Sequence, residues 1–421
     1  MTRLCLNLVF AATILTTTQF VLGEEDTKSW WPQWRGPSRD GMVQMKPWPD
    51  TLSGDAVQQL WRVELGPSYS GPIVGGAKVF TTETKDQKWE VVRAYDLTTG
   101  KPIWETRWEG SMTVPFFAAS NGSWIRATPA LDDGRLYVAG MRDVLVCLDA
   151  ENGEQVWKID FVQQFQTPLP SFGFVSSPLV AGDWLYVQAA ASLVKVDKRT
   201  GEIVWRTLED GGGMWGSAFS SPFLADVDGR SHLLVQTRQK LAGVDPEDGT
   251  VLWTQDIEAF RGMNILTPTV SESAVFTSSY GGRSQLIRLS EDNGDWRTDP
   301  IWDNRLQGYM STPLLIDGHA FLHMRNQRAA CIRLSDGEIT WISQPFGRYW
   351  SLVGQGAKIL ALDERGELLL LKANPEAFEI LDRRQIADDE TWAHLAVVDD
   401  LLVIRELGAL AVYRWSGPRQ P

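Results

Sequence analysis

Apolar and polar residues alternate along this chain in short runs that break at Gly, Asp or Asn, as in LDDGRLYVAG (131–140), VAGDWLYVQA (180–189), LIDGHAFLHM (315–324) and VVDDLLVIRE (397–406). Runs of this length, rich in branched and aromatic residues and bounded by turn formers, predict β-hairpins. Each hairpin leads into a second recurring phrase. AYDLTTGKPIW ends at Trp104, CLDAENGEQVW at Trp157, KVDKRTGEIVW at Trp205 and GVDPEDGTVLW at Trp253, with Asp, Gly and Trp at one spacing. Self-similarity at this period signals a repeat architecture.

Two further copies are worn. IRLSEDNGDWRTDPIW has Ser290 in place of Asp and extra residues before Trp302, and CIRLSDGEITW has Arg333 before Trp341. LLLKANPEAFEIL has lost both Gly and Trp, and LWRVELG carries Trp61 without a preceding half. The starts of the units count independently: SYSGPIV (68–74), RATPAL (126–131), SSPLV (176–180), SSPFL (220–224), LTPTV (266–270), STPLL (311–315), YWSLV (349–353) and WAHLAV (392–397).

Eight starts match eight tryptophan-type strands. The pattern therefore predicts an all-β, eight-bladed β-propeller of four-stranded antiparallel blades. The last unit supplies three strands and residues 58–66 supply one without partners. The N-terminal strand is thus expected to complete the C-terminal blade and close the ring, which leaves no open sheet edge. The expected division is a signal peptide at 1–23, a lead-in strap at 24–57 and the propeller at 58–421.

The recurring phrase has a structural reading. Asp accepts backbone N–H bonds in the turn, Gly takes the left-handed conformation, and Trp projects toward the neighbouring blade. Burying an indole of ~200 Å² at ~25 cal/mol per Å² contributes about 5 kcal/mol, before ordering entropy is subtracted. Trp61, Trp104, Trp157, Trp205, Trp253, Trp302 and Trp341 are the expected docking residues.

Composition adds the setting. The chain has 421 residues with 20 Trp and 37 Gly, which suits short strands and turns with bulky aromatics between repeats. The opening MTRLCLNLVFAATILTTTQFVLGEED reads as a secretory signal cleaved near Gly23, giving a periplasmic or secreted protein with no spanning membrane segment. Cys5 lies inside that signal and not at its end, against a lipid anchor. Cys147 and Cys331 occupy the same register of different blades and are expected to be buried and unpaired. The net charge of −13 disfavours nucleic acid as a partner.

The Ala/Cys-x-Asp-x-x-Thr/Asn-Gly-x-x-x-Trp phrase resembles the tryptophan-docking repeat of the pyrroloquinoline-quinone propeller superfamily, which includes quinoprotein alcohol dehydrogenases and the outer-membrane protein assembly factor BamB. The resemblance covers roughly 58–415. WPQWRGPSRDG (31–41) also resembles the segment preceding such propellers in secreted bacterial proteins. The resemblance implies an exported non-catalytic binding or assembly module, BamB-like, whose partner is an exported or membrane protein or an acidic ligand. Such a module needs no cofactor. The alternative it implies is a quinoprotein dehydrogenase using pyrroloquinoline quinone with calcium. Quinone-dependent alcohol dehydrogenases of the family carry adjacent cysteines and Glu, Asn and Asp calcium ligands. No Cys-Cys occurs here, and those ligands do not map.

In such a blade, the turn before Trp lies on one face. The other face carries the second hairpin turn and the links between blades. Those links vary and are aromatic: EGSMTVPFFAASNGSW, DFVQQFQTPLPSF, LEDGGGMWGS, DNRLQGYM and QPFGRYW. Variable loops on a rigid scaffold are where binding resides. The hairpin turns there repeat an arginine, Arg142, Arg238, Arg325 and Arg405, with Arg126 nearby. Two readings stand, a ring of guanidiniums suited to carboxylates or solvated and internally paired turn residues. Trp350, Trp392 and His394 replace Ser or Thr at unit starts, and they either line a small channel site or plug and pack. His232, His319 and His323 show no metal spacing. GGGMWG (211–216) lacks the helix a dinucleotide loop needs, ADVDGR (225–230) aligns with a hairpin turn, and Asn121-Gly122-Ser123 is a glycosylation acceptor only in a glycosylating source.

Overall fold

A computed structural model describes residues 31–216 and 218–416. The expected signal peptide and its cleavage position lie outside the described residues. Among the described residues, eight four-stranded antiparallel sheets follow one another from residue 57 onward. Blade 1 spans 73–109, blade 2 130–160, blade 3 179–207, blade 4 223–256, blade 5 269–304, blade 6 314–345 and blade 7 350–385. Blade 8 combines 396–415 with the early strand Val57–Glu64.

Burial explains the hydrophobic pattern. In blade 2 the third strand, Val144–Asp149, is buried at every position but the last, whereas the outermost strand, Gln155–Asp160, is mostly exposed. Inner strands are sandwiched between neighbouring blades and lose water from both faces, so their apolar runs are continuous. Cys147 and Cys331 sit in this sandwich as free, buried thiols.

The expected closure is present. Val57–Glu64 runs antiparallel to Ala409–Trp415, from Val57 opposite Trp415 to Glu64 opposite Ala409. Arg62 grips the buried Glu406 through two bonds of 2.8 and 2.9 Å. The same strand carries Trp61, whose indole N–H donates to the carbonyl of Leu97 in blade 1. One strand therefore both completes blade 8 and docks it on blade 1.

The docking repeat takes the expected form at most positions. Trp104, Trp157, Trp205, Trp302 and Trp341 donate to the carbonyls of Ala150, Lys198, Glu247, Leu334 and Asn374, each in the following blade. Asp149 accepts from the backbone of Glu151 at 2.9 Å and Asp197 from that of Arg199 at 2.8 Å, which shapes the turn. Gly153 has φ +78°, and a Cβ there would meet the Trp104 ring at 2.5 Å. Glycine is needed both for its backbone conformation and for the approach of the indole.

Trp253 departs from this pattern. In blade 5, strands Ser284–Asp292 and Asp295–Asn304 are lengthened, and no indole lies over the glycine of their turn, Gly294. Trp253 instead donates to Nδ1 of His232 in its own blade at 3.2 Å. Trp296 fills the interface, packed edge-on against His232 at 4.2 Å.

Candidate binding face

The unit starts build the channel wall. Backbone N–H groups of Gly71, Thr128, Ser177, Ser221 and Thr267 donate to the hydroxyls of Thr128, Ser177, Ser221, Thr267 and Thr312, each in the next blade, at 2.9–3.1 Å. The relay reverses where Ser or Thr before Pro gives way to YWSLV and WAHLAV. There Trp350 donates back to Ser311, and Leu395 back to Ser351.

The lead-in crosses the end of this channel on the side of the docking turns. Trp31 pairs with Val74 of blade 1, and Met42 with Gly354 of blade 7. Arg35 donates to the carbonyls of Thr312 at 2.6 Å and Pro313 at 2.7 Å, and Arg39 to that of Pro178 at 2.7 Å. Both guanidiniums are buried and lie about 5.5 Å from the ring of Trp34 (5.6 and 5.3 Å). Burial lowers them from the usual arginine value to about 10 and about 9. Strap contacts to blades on opposite sides of the ring make it a floor, and Trp34 forms part of the channel lining.

Above that floor is a cavity of about 160 Å³, lined by Trp34, the ring hydroxyls, Tyr349, Trp392 and His394. Trp392 stacks on Tyr349 (6.1 Å, 10°) and approaches Tyr69 at 5.4 Å, over which Arg126 lies at 5.6 Å. His394 packs between Trp31 and Trp34, accepts no charge readily, and is pushed down to about 3 by burial. Trp350 is elsewhere. It is buried against Phe346 and His323, with its indole N–H on Asp363 at 3.1 Å. Of the three aromatic candidates, Trp392 and His394 reach the channel and Trp350 packs between blades 6 and 7, because its ring turns toward a buried carboxylate.

The arginines divide likewise. Arg126 and Arg238 line one larger cavity, of about 380 Å³, among the inter-blade links. Arg142 is exposed, and Arg325 is exposed over the ring of Tyr280 at 4.2 Å. Arg405 is fully buried, and its two terminal nitrogens donate to the carbonyls of Glu406, Leu407, Ala409, Gly66 and Thr82, which leaves only Nε without a partner. It ties blade 8 to blade 1 and presents no charge to a ligand. The four hairpin arginines therefore do not form one ring.

The sequence points to the aromatic links but singles out none of their rings as a site. Phe116, Phe117, Phe172 and Phe219 contact in series at 5.5–6.3 Å, ending under Arg238 at 4.4 Å. Phe260, Tyr280 and Tyr309 form a second series at 5.1–5.2 Å. The available signal was aromatic residues in links that fall outside the docking register. GGGMWG contributes Met214 and Trp215 to the same cavity, while ADVDGR is the expected hairpin turn, with Asp226 accepting from Gly229. His232 and His323 are buried, His319 bonds the carbonyl of Asp317, and no cluster of three or more His, Cys, Asp or Glu fit for a metal occurs among the described residues.

The sequence profile of the family described as outer membrane protein assembly factor BamB matches residues 88–343. The chain belongs to that family. BamB of Yersinia pestis is 22% identical over 264 residues, which cover 58% of this chain and 63% of the relative, so the match spans less than two thirds of that relative's length. The crystal structure of BamB from Moraxella catarrhalis superposes with a TM-score of 0.60 at 16% identity, covering 87% of this chain and 99% of that one. A quinohemoprotein alcohol dehydrogenase from Comamonas testosteroni shares the fold at TM-score 0.52 and 13% identity, over 93% of this chain and 81% of that one.

A quinone with calcium is not matched by the channel residues. Calcium takes six to eight oxygen ligands, with carboxylates prominent. The channel cavity is lined by hydroxyls, aromatics, Arg126 and His394, with no carboxylate among its lining residues, and Trp34 occupies its floor.

Proposed function

We propose that this chain is an exported, non-catalytic propeller that acts as a BamB-like binding and assembly module, working in the periplasm or beyond after loss of residues 1–23. Its partner is an exported or membrane protein held on the link face. One observation carries this reading: that face gathers the exposed aromatics Phe116, Phe117, Trp215 and Phe260 around a cavity, whereas the opposite face is built mostly from short docking turns and is crossed by the strap. Exposed apolar clusters of this kind mark interaction sites. Among the described residues no helix is long and apolar enough to cross a membrane.

Immobilised protein tested against envelope proteins of its source should retain a partner, and Phe116→Ala with Trp215→Ala should lose it. Retention that survives these changes but fails on altering the docking-turn face would overturn the assignment. So would dye reduction dependent on added quinone and calcium.

A further inference from the structure

The cavity between the links of blades 1 to 6 combines two features that rarely meet on a surface without a ligand. Its walls are aromatic and thioether, from Phe117, Phe172 and Phe219, from the Phe260–Tyr309 series and from Met214, Met263 and Met310. Its polar groups are Asn121 and three guanidiniums, those of Arg126 and Arg238 and the exposed one of Arg261. Arg238 is only 5% exposed. Its Nη2 donates to the carbonyls of Arg261 at 2.8 Å and Met214 at 3.3 Å, while Nε and Nη1 are buried without a partner. Arg126 donates Nη2 to the carbonyl of Gly122 at 2.6 Å and leaves Nε buried without a partner. Asp210 contributes charge near Arg238, but no acidic side chain lines the cavity.

Buried donors left unpaired cost free energy that a carboxylate recovers through charge-assisted bonds. Resting on the binding-module reading above, we propose that this cavity receives a protein segment presenting an aromatic side chain beside an acidic residue, the ring entering the aromatic walls and the carboxylate meeting Arg238 and Arg126. A volume of about 380 Å³ suits one or two side chains and not a folded domain. Phe116 at 91% exposed stands outside the cavity and Trp215 at 66% on its rim, where a continuing chain would lie. Arginine and rigid aromatics are the groups enriched where partners anchor. Against a net charge of −13, a cavity lined by three arginines and no carboxylate is complementary to an acidic group.

The probe is a fluorescein-labelled Gly-Asp-Phe-Asp-Phe-Gly peptide with blocked ends, followed by anisotropy on the purified full chain. Replacing both Asp by Asn, or both Phe by Ala, should weaken binding roughly tenfold or more, as should Arg238→Gln. Trp215→Ala, at an exposed position, guards against misfolding of the buried variant and should weaken binding with unchanged thermal unfolding. Equal binding of the Asn peptide, or no binding of the acidic peptide at millimolar concentration, overturns the proposal. Competition by 3-phenylpropionate at the same concentration as peptide also overturns it, in favour of a small acid. If partner capture on the link face persists while peptide binding fails, this inference falls and the binding-module reading stands.

Discussion

The backbone N–H of Ser177 donates to the hydroxyl of Ser221 at 2.9 Å, and the N–H of Ser221 donates in turn to Thr267 at 3.1 Å. Neighbouring blades are thus stitched at the channel by side chains of residues that precede the innermost strands. Trp205 fastens blades 3 and 4 at the rim as well, through the carbonyl of Glu247. An interface with both contacts is held at both ends, so the blade cannot pivot about either alone.

Removing one hydroxyl tests the inner fastening. Thr267→Val keeps the side-chain shape but leaves the buried N–H of Ser221 unpaired, which should cost about 1–3 kcal/mol. Urea denaturation would measure it. Ser220→Ala, whose hydroxyl has only contacts of 3.4 and 3.5 Å, should cost less, and equal effects would contradict the stitching account.

The outer fastening is tested by two glycines. Gly153 and Gly134 both have positive φ (+78° and +70°), but a Cβ at 153 meets Trp104 at 2.5 Å whereas one at 134 meets nothing within 4 Å. Gly134→Ala should lose about 1–2 kcal/mol from backbone conformation alone. Gly153→Ala should lose clearly more, because the indole must move. Similar unfolding midpoints for the two would show that the turn does not depend on the ring above it.

Stability should fall as pH rises from about 4.5 to 7. Burial raises Glu90 to about 7, against hydrogen bonds from Met141 and Trp108 and the charges of Lys158 and Arg142, and burial likewise raises Asp143 to about 7. The folded state then holds protons that the unfolded state has released, so these groups stabilise fully below the unfolded value and lose that contribution on the way to the folded one. The effect of each is on the order of 1–3 kcal/mol. Asp96 and Asp197, held low chiefly by bonds from Thr99 and Thr200, act below this window. Thermal unfolding between pH 5 and 7.5 should show the decline, and Glu90→Gln should flatten it. An unchanged slope in that variant would locate the dependence elsewhere.

The strap should loosen when its arginines are lost. Arg35→Met with Arg39→Met removes the bonds to Thr312, Pro313, Ser177 and Pro178 and should speed subtilisin cleavage of the strap near the exposed Gln44. Cleavage at the unaltered rate would mean that Trp31 and Met42 hold the strap without them.

Eight starts and a tryptophan at fixed spacing made the ring, its blade count and its closure legible from the chain, because each repeat must bury the same face against the next and so keeps the same residues. The docking carbonyls follow from that register. Trp253 shows its limit: its own phrase is intact, and the lengthened hairpin of the following blade decides where its indole goes. Arg405 and Arg238 occupy equivalent hairpin turns, yet one has both terminal nitrogens bonded to carbonyls and the other keeps a terminal nitrogen unpaired beside a cavity. The repeat itself determined the scaffold, since its contacts are local or between adjacent units. Only tertiary structure decided the binding face, because links far apart in sequence converge there and the fate of each arginine depends on which backbone carbonyls the neighbouring blade happens to bring within reach.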